Sequence, residues 1–267
     1  MTLFEPSEVL AAPVGPLVRV RMTVAYDGSG FHGFAPNAGV ATVGGTLADA
    51  LAKVLRTPVE LTCAGRTDTG VHAWGQVVSF DLPAERFDGV ALARSLNRLC
   101  GPAIVVRDLA DAPDDFDARR SAIGRTYRYT IVNRPVPDPF LAHVAWHVEE
   151  PLDLDLLRLG CDPLVGDHDF SAFCRKPKHR DGSDASLVRQ VRRAAWTDVG
   201  DGVLRFEIEA NAFCHQMIRS MVGTLVDVGL ARKHAGELLG ILAGRDRSKA
   251  SPLAPPHGLC LWAVAYP

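Results

Sequence analysis

The chain has 267 residues, 47% of them hydrophobic and 22% charged, with 24 glycines and 18 prolines spread along it. A chain this long buries roughly 75% of its unfolded surface, which excludes a stapled disulfide scaffold and a collagen-like or disordered chain. Lys and Arg number 29 against 31 Asp and Glu, and the formal net charge of −2 excludes a polybasic, histone-like protein.

No apolar run reaches the roughly 18 residues of a transmembrane helix, so no membrane association is expected. Residues 1–17 have no basic n-region, carry Glu5 and Glu8, and read as a frayed arm rather than a secretory signal. The six cysteines (Cys63, Cys100, Cys161, Cys174, Cys214 and Cys260) form no CxxC pair and sit mostly among apolar neighbours. Buried reduced thiols in a cytoplasmic protein, with no metal site, are the expectation.

In chain order, Arg19–Tyr26 alternates polar and apolar as a half-buried strand and breaks at Asp27-Gly28-Ser29-Gly30. Thr46 is positioned to cap a helix whose face carries Leu47, Leu51, Val54 and Leu55. Strands are expected at Val59–Ala64 and Gly75–Leu82, a helix at Val90–Leu99 and a strand at Ala103–Leu109. This β-α-β-β-α-β order is that of a ferredoxin-like unit with an antiparallel sheet. The Asp- and Pro-rich Asp108–Asp115 stretch has linker composition. Beyond it, strands are expected at Thr126–Val132, Val144–Val148, Val188–Asp198, Val203–Ala210 and Leu259–Ala265, with helices at Leu154–Leu164, Cys214–Leu230 and Ala235–Leu242. The expected fold class is therefore α+β. Two ferredoxin-like or RRM-like domains, residues 18–112 and 113–267, face each other across a cleft that holds the active site.

One polar segment between strands carries chemistry: Ala64-Gly65-Arg66-Thr67-Asp68-Thr69-Gly70-Val71-His72-Ala73. Arg66 and Asp68 point the same way if the backbone is extended. An arginine beside a carboxylate keeps it ionised, as a nucleophile or base requires. Standing alone, such a pair is more often a structural ion pair pinning a loop. Arg219 lies in an apolar helical run between Ile218 and Ser220 and needs a carboxylate partner if buried, with Asp68 the candidate and a snorkelling side chain the alternative. His72 and His215 have no His, Asp or Cys at ligand spacing and read as structural or, on the resemblance described next, as RNA-contacting.

The string AGRTDTGVHAWGQ resembles the signature loop of the tRNA pseudouridine synthase A family. Further blocks match in the same order. They are Tyr26-Asp27-Gly28-Ser29, Phe116-Asp117-Ala118-Arg119, Tyr127-Arg128-Tyr129 and Gly166-Asp167-His168-Asp169-Phe170. Asn211-Ala212-Phe213 with Met217, Arg219, Val222 and Gly223 follows, and then Gly258-Leu259. The resemblance implies isomerisation of uridine to pseudouridine in the anticodon stem-loop of tRNA, at positions 38–40, without a cofactor and by a homodimer. It implies that Asp68 is the catalytic aspartate and that Tyr127 packs against the target base. It further implies that Arg66 pairs with the aspartate and fills the place of the flipped nucleotide, that Arg219 is a second arginine near the carboxylate, and that Leu259 forms an apolar wall. The chemistry fits these residue types independently. One unprotonated carboxylate can attack C1′, attack C6, or remove a sugar proton to give a glycal. A base inside a stem must first be extruded, at a few kcal/mol, and an aromatic face recovers about 1–3 kcal/mol.

The sequence departs from the family pattern at Gly33-Phe34-Ala35-Pro36-Asn37 and Thr42-Val43-Gly44-Gly45, where the family has Gln-containing blocks that the resemblance places near RNA. Charge is segregated. Arg119, Arg120, Arg125, Arg128 and Arg134 occur without an acid between them, and Arg175, Lys176, Lys178, Arg180, Arg189, Arg192 and Arg193 face only Asp181 and Asp184. Such clusters suit binding to phosphate, with a solvated surface as the plainer alternative. Two rival readings are weighed against a synthase. A non-catalytic RNA-binding protein on the same scaffold has no need of the Arg66, Asp68, Tyr127 and Arg219 set. A glycoside hydrolase or nucleosidase needs a second positioned acid that the signature loop does not offer.

Overall fold

The computed structural model describes residues 15–175 and 186–267. Its first half runs β1 (Leu17–Tyr26), α1 (Val43–Leu55), β2 (Thr62–Cys63), β3 (His72–Pro83), α2 (Gly89–Cys100) and β4 (Ile104–Asp111). Its second runs β5 (Gly124–Asn133), β6 (Trp146–Val148), α3 (Leu154–Leu159), β7 (Gly166–Asp169), β8 (Val188–Gly200), β9 (Val203–Ala210), α4 (Met217–Gly229), α5 (Glu237–Gly244) and β10 (Leu259–Ala265).

The α+β class holds, and each half has the ferredoxin-like strand order. In the first half that order is β4-β1-β3-β2, and in the second it is β10-β5-β9-β8, with neighbours antiparallel throughout. β6, β7 and α5 are additions to the second unit. The two sheets are not separate: β10 pairs in parallel with the start of β3, opposing Cys260 to His72 and Leu261 to Ala73, so that one ten-stranded sheet runs through the molecule. β3 can serve both because it is long. β1 covers one of its edges, and β2 and β10 share the other, β10 at His72 and Ala73 and β2 farther along at Val78 and Ser79. Buried and half-exposed residues alternate along β1 and β9, as in a sheet with one packed face.

Several boundaries shift for local reasons. α1 is capped by Thr42, not Thr46: Thr42 is extended and its Oγ1 accepts from the Gly45 N–H at 3.2 Å. Gly44 then lies in the first turn, with its N–H donating to the Phe34 carbonyl at 2.8 Å. β2 shrinks to two residues because the chain turns away after the Ala64 N–H bonds the Val77 carbonyl at 2.8 Å. α4 starts at Met217, since Gln216 takes left-handed φ 64° and ends any helical run from Cys214. α3 stops at Leu159, and Asp162–Leu164 forms a separate 3-10 turn around Pro163.

The core runs without a break from β1 and α1 through β5 to α4 and α5. α4 is buried on nearly every side, as its apolar sequence requires. Gly223 explains how a chain segment crosses it so closely: a Cβ there would lie 2.0 Å from the Pro252 carbonyl oxygen. The Ser251 N–H is satisfied by Thr224 Oγ1 at 3.1 Å. No helix among the described residues is long and apolar enough to cross a membrane.

Candidate active site

The loop between β2 and β3 leaves the sheet at Gly65 and is held by buried polar groups on both sides. Gln76, fully buried in β3, donates from Nε2 to the Gly65 carbonyl at 2.6 Å and accepts from the Gly65 N–H at 3.3 Å. The Tyr26 hydroxyl at the end of β1 shares a 2.7 Å hydrogen bond with Thr67 Oγ1. The Thr67 carbonyl accepts from the Phe34 N–H at 3.1 Å, and the Val71 N–H bonds the Asp68 carbonyl at 3.1 Å. The Tyr-Asp-Gly-Ser block therefore braces the loop. A Cβ on Gly28 would lie 2.1 Å from the Val71 carbonyl oxygen, so only glycine allows that approach. His72 is part of this brace: its Nδ1 accepts from the Gly28 N–H, and its Nε2 lies 3.0 Å from the carbonyls of His143 and His257.

Asp68 projects from this rigid loop with its side chain 31% exposed. Its Oδ2 lies 3.9 Å from Nη1 of Arg219, and its Oδ1 lies 3.3 Å from Nε2 of His215. Arg219 is the partly buried cation that sequence reasoning expects to need a carboxylate. Its Nε also donates to the Ala254 carbonyl at 2.8 Å, which fixes the guanidinium. Tyr127, in β5, is buried and meets Phe213 edge to face at 5.1 Å. Its hydroxyl oxygen would be 3.4 Å from a Cβ on Gly65, so the ring lies against the root of the Asp68 loop. Burial pushes the Tyr127 phenol well above its ordinary value, opposed by the nearby Arg125 and reinforced by the charge of Asp68, so the ring stays neutral.

Leu259 is buried at the start of β10, opposite Tyr129 and one residue before the Cys260–His72 pair that joins the sheets. Arg66 differs from the expectation. It is exposed and makes no ion pair with Asp68; the basic side chains at that carboxylate are Arg219 and His215. Arg66 points to solvent, and the carboxylate is met by side chains remote in sequence.

Sequence reasoning misses three residues. Gln76 is only a letter of the signature string. His215 has no ligand neighbour in sequence, and its approach to Asp68 exists only in the fold. Arg125 counts in sequence as a surface cation, yet it is buried. Its Nη2 donates to the carbonyls of Ala64 and Arg119 at 3.0 and 2.9 Å, and its Nη1 donates to those of Ala122 and Asn211 at 3.1 and 2.7 Å. One guanidinium thus ties the root of the Asp68 loop to the root of the segment carrying Phe213 and His215.

The first basic cluster is accordingly smaller than its sequence suggests. Arg128 pairs with Glu207 at 2.8 Å and lies 3.8 Å over the Trp262 ring, and Arg134 pairs with Asp138 at 2.6 Å. Arg119 and Arg120 remain exposed, without ion pairs among the described residues. In the second cluster Arg192 and Arg193 pair with Glu209 and Glu207, while Lys176, Lys178 and Arg180 lie outside the described residues.

A carboxylate set between an arginine and a histidine, near a neutral buried tyrosine at the junction of two ferredoxin-like units, is a site suited to base or nucleophile chemistry. The family model for tRNA pseudouridine synthases matches residues 161–267. The chain is 44% identical over 255 residues to tRNA pseudouridine synthase A of Frankia casuarinae, covering 94% of this chain and 90% of that one. It is 40% identical over 264 residues to the Corynebacterium glutamicum protein of the same name, with 94% and 90% covered, and 38% identical over 252 residues to that of Methylacidiphilum infernorum, with 94% and 96% covered. The chain belongs to the tRNA pseudouridine synthase A family.

Proposed function

We propose that this protein isomerises uridine to pseudouridine in tRNA, at positions 38–40 of the anticodon stem-loop, with Asp68 as its catalytic carboxylate. The observation that carries the reading is the carboxylate of Asp68, open to solvent yet flanked by Arg219 and His215 on a loop braced by Gln76, Tyr26 and Gly28. Substrate and product are isomers: the N1–C1′ bond breaks, a C5–C1′ bond forms, and the C5 proton is exchanged for one on N1. No electrons enter or leave, so no redox cofactor is called for.

Each step draws on a residue of the site. Extrusion of the target nucleotide costs a few kcal/mol of stacking. Arg66, exposed and two residues from Asp68 in the chain, fills the vacated stack, and the ring of Tyr127 with the Leu259 wall receives the base. Asp68 then acts at C1′ or C6, or on a sugar proton, and all three routes need it ionised. Arg219 steadies its charge. We also propose that residues 18–112 and 113–267 are the two units that flank the RNA-binding cleft, that the protein works as a homodimer in the cytoplasm, and that Arg119 and Arg120 bind phosphate.

The test is positional mapping. Unmodified tRNA carrying uridines at 38–40 and elsewhere is incubated with the protein, treated with a carbodiimide that marks pseudouridine, and read by primer extension. Stops confined to 38–40 support the proposal, and stops elsewhere or none overturn it. Sedimentation of the free protein tests the dimer.

A further inference from the structure

From sequence His215 reads as structural or RNA-contacting, yet its Nε2 lies 3.3 Å from Oδ1 of Asp68. Arg219 meets the other oxygen, Oδ2, at 3.9 Å. A basic side chain faces each oxygen, and two such groups closing to hydrogen-bond distance would fix the plane of a carboxylate that one alone leaves free to rotate. Both are ion-pair contacts rather than formed hydrogen bonds, and catalytic contacts that are long or poorly aligned in a free site tighten once the reacting partners are in place.

The backbone around His215 is fixed by bonds that do not involve its side chain. The His215 carbonyl accepts from the Arg175 N–H at 3.1 Å, and the Met217 N–H bonds the Cys214 carbonyl at 3.2 Å. Gln216 sits in left-handed φ 64°, and the Asn211 carbonyl is held by buried Arg125 at 2.7 Å. The segment from Asn211 to Met217 is therefore anchored at both ends and sends two side chains to the site: Phe213 onto Tyr127 and His215 onto Asp68. The imidazole is 45% exposed and packs into no core, so stability gives it little reason to be there. Neither carboxylate oxygen is needed elsewhere by the loop, whose backbone bonds run through the Thr67 and Asp68 carbonyls.

We propose that His215 is a positioning residue for the reaction: its Nε2–H holds Oδ1 of Asp68 while Arg219 holds Oδ2, fixing the carboxylate plane toward the sugar and base. This rests on the reading of Asp68 as the reacting carboxylate. It predicts that the loss falls on turnover rather than on RNA binding, and that any side chain placing an N–H at the Nε2 position serves.

The experiment compares wild type, His215→Leu and His215→Gln in single-turnover tritium release from tRNA labelled at uridine C5, with tRNA affinity measured by filter binding. Glutamine reaches its amide N–H to about the place of Nε2, whereas leucine matches the bulk and offers no donor. Leucine is expected to slow turnover about 10- to 100-fold, the scale on which a displaced reacting group costs rate, with affinity within twofold. Glutamine is expected to recover most of that loss. A leucine variant as fast as wild type, a defect confined to affinity, or a glutamine variant no faster than leucine overturns the role of His215. An inactive wild-type protein overturns the functional reading instead, and the two failures are distinct.

Discussion

The side-chain amide of Gln76 makes both hydrogen bonds that the backbone of Gly65 offers, donating to its carbonyl at 2.6 Å and accepting from its N–H at 3.3 Å. A buried amide used this way replaces the strand partner that β2 stops supplying. Gln76→Leu leaves both Gly65 groups without their partner in a part-buried setting, at a cost of about 1 kcal/mol or more. Urea unfolding is expected to register that loss, and turnover is expected to fall further than stability accounts for, because Asp68 lies three residues along the same loop. A variant with unchanged unfolding and unchanged turnover contradicts the brace.

Arg125 behaves as a buried tie, not as an RNA-binding cation. Burial pulls its guanidinium below its ordinary value, yet four carbonyls across two loop roots need its protons. Arg125→Met is expected to destabilise the fold by about 3 kcal/mol, and Arg125→Lys is expected to fail as well, since one ammonium cannot span both loops. Thermal unfolding of the two variants checks this, and a lysine variant of wild-type stability contradicts it.

Exposed Arg119 and Arg120 are expected to behave in the opposite way. Replacing both with alanine leaves stability within about 0.5 kcal/mol, as for most surface changes. It weakens tRNA binding and lowers the steepness of its salt dependence by about one unit for each phosphate no longer neutralised. Binding titrations at several salt concentrations give the slope. An unchanged slope means that other cations neutralise the phosphates.

The fold is legible from its periodicities to the extent that local pattern decides it. The β10 strand has the bounds its sequence announces, and the ferredoxin-like order of the first half follows from alternation and helix spacing alone. The fusion of the two sheets is not legible, because the parallel pairing of Cys260 with His72 joins segments remote in sequence and leaves no local trace. At the site, Arg219 announces its need for a carboxylate by standing in an apolar helix. Gln76 and Arg125 sit in strands at positions that look the same whether the side chain meets solvent or a buried carbonyl. His215 reaches Asp68 only because Gln216 turns the chain before α4. The pairing of Arg66 with Asp68 does not form, because Arg219 and His215, both remote in sequence, take the carboxylate.

All four tyrosines carry phenols raised above their ordinary value, with burial the leading cause at Tyr26, Tyr127, Tyr129 and Tyr266. The native state thus keeps protons that the unfolded chain releases near pH 10, and above that pH the unfolded state binds fewer protons than the native one. Stability is therefore expected to be unaffected by these groups below about pH 10 and to fall as pH rises beyond it. Phenolate absorbance is expected to appear together with unfolding rather than before it. Phenolate forming in the still-folded protein at the ordinary tyrosine value contradicts the burial.

The central claim is that one carboxylate on a braced loop performs the isomerisation, and tritium release from tRNA labelled at uridine C5 tests it most directly. Wild-type protein is expected to release tritium to solvent. Asp68→Asn, which keeps the shape and removes the charge, is expected to release none above the blank while binding tRNA within about twofold of wild type, since charge rather than bulk is what the reaction requires. Release by Asp68→Asn at the wild-type rate, or no release by the wild-type protein, contradicts the account.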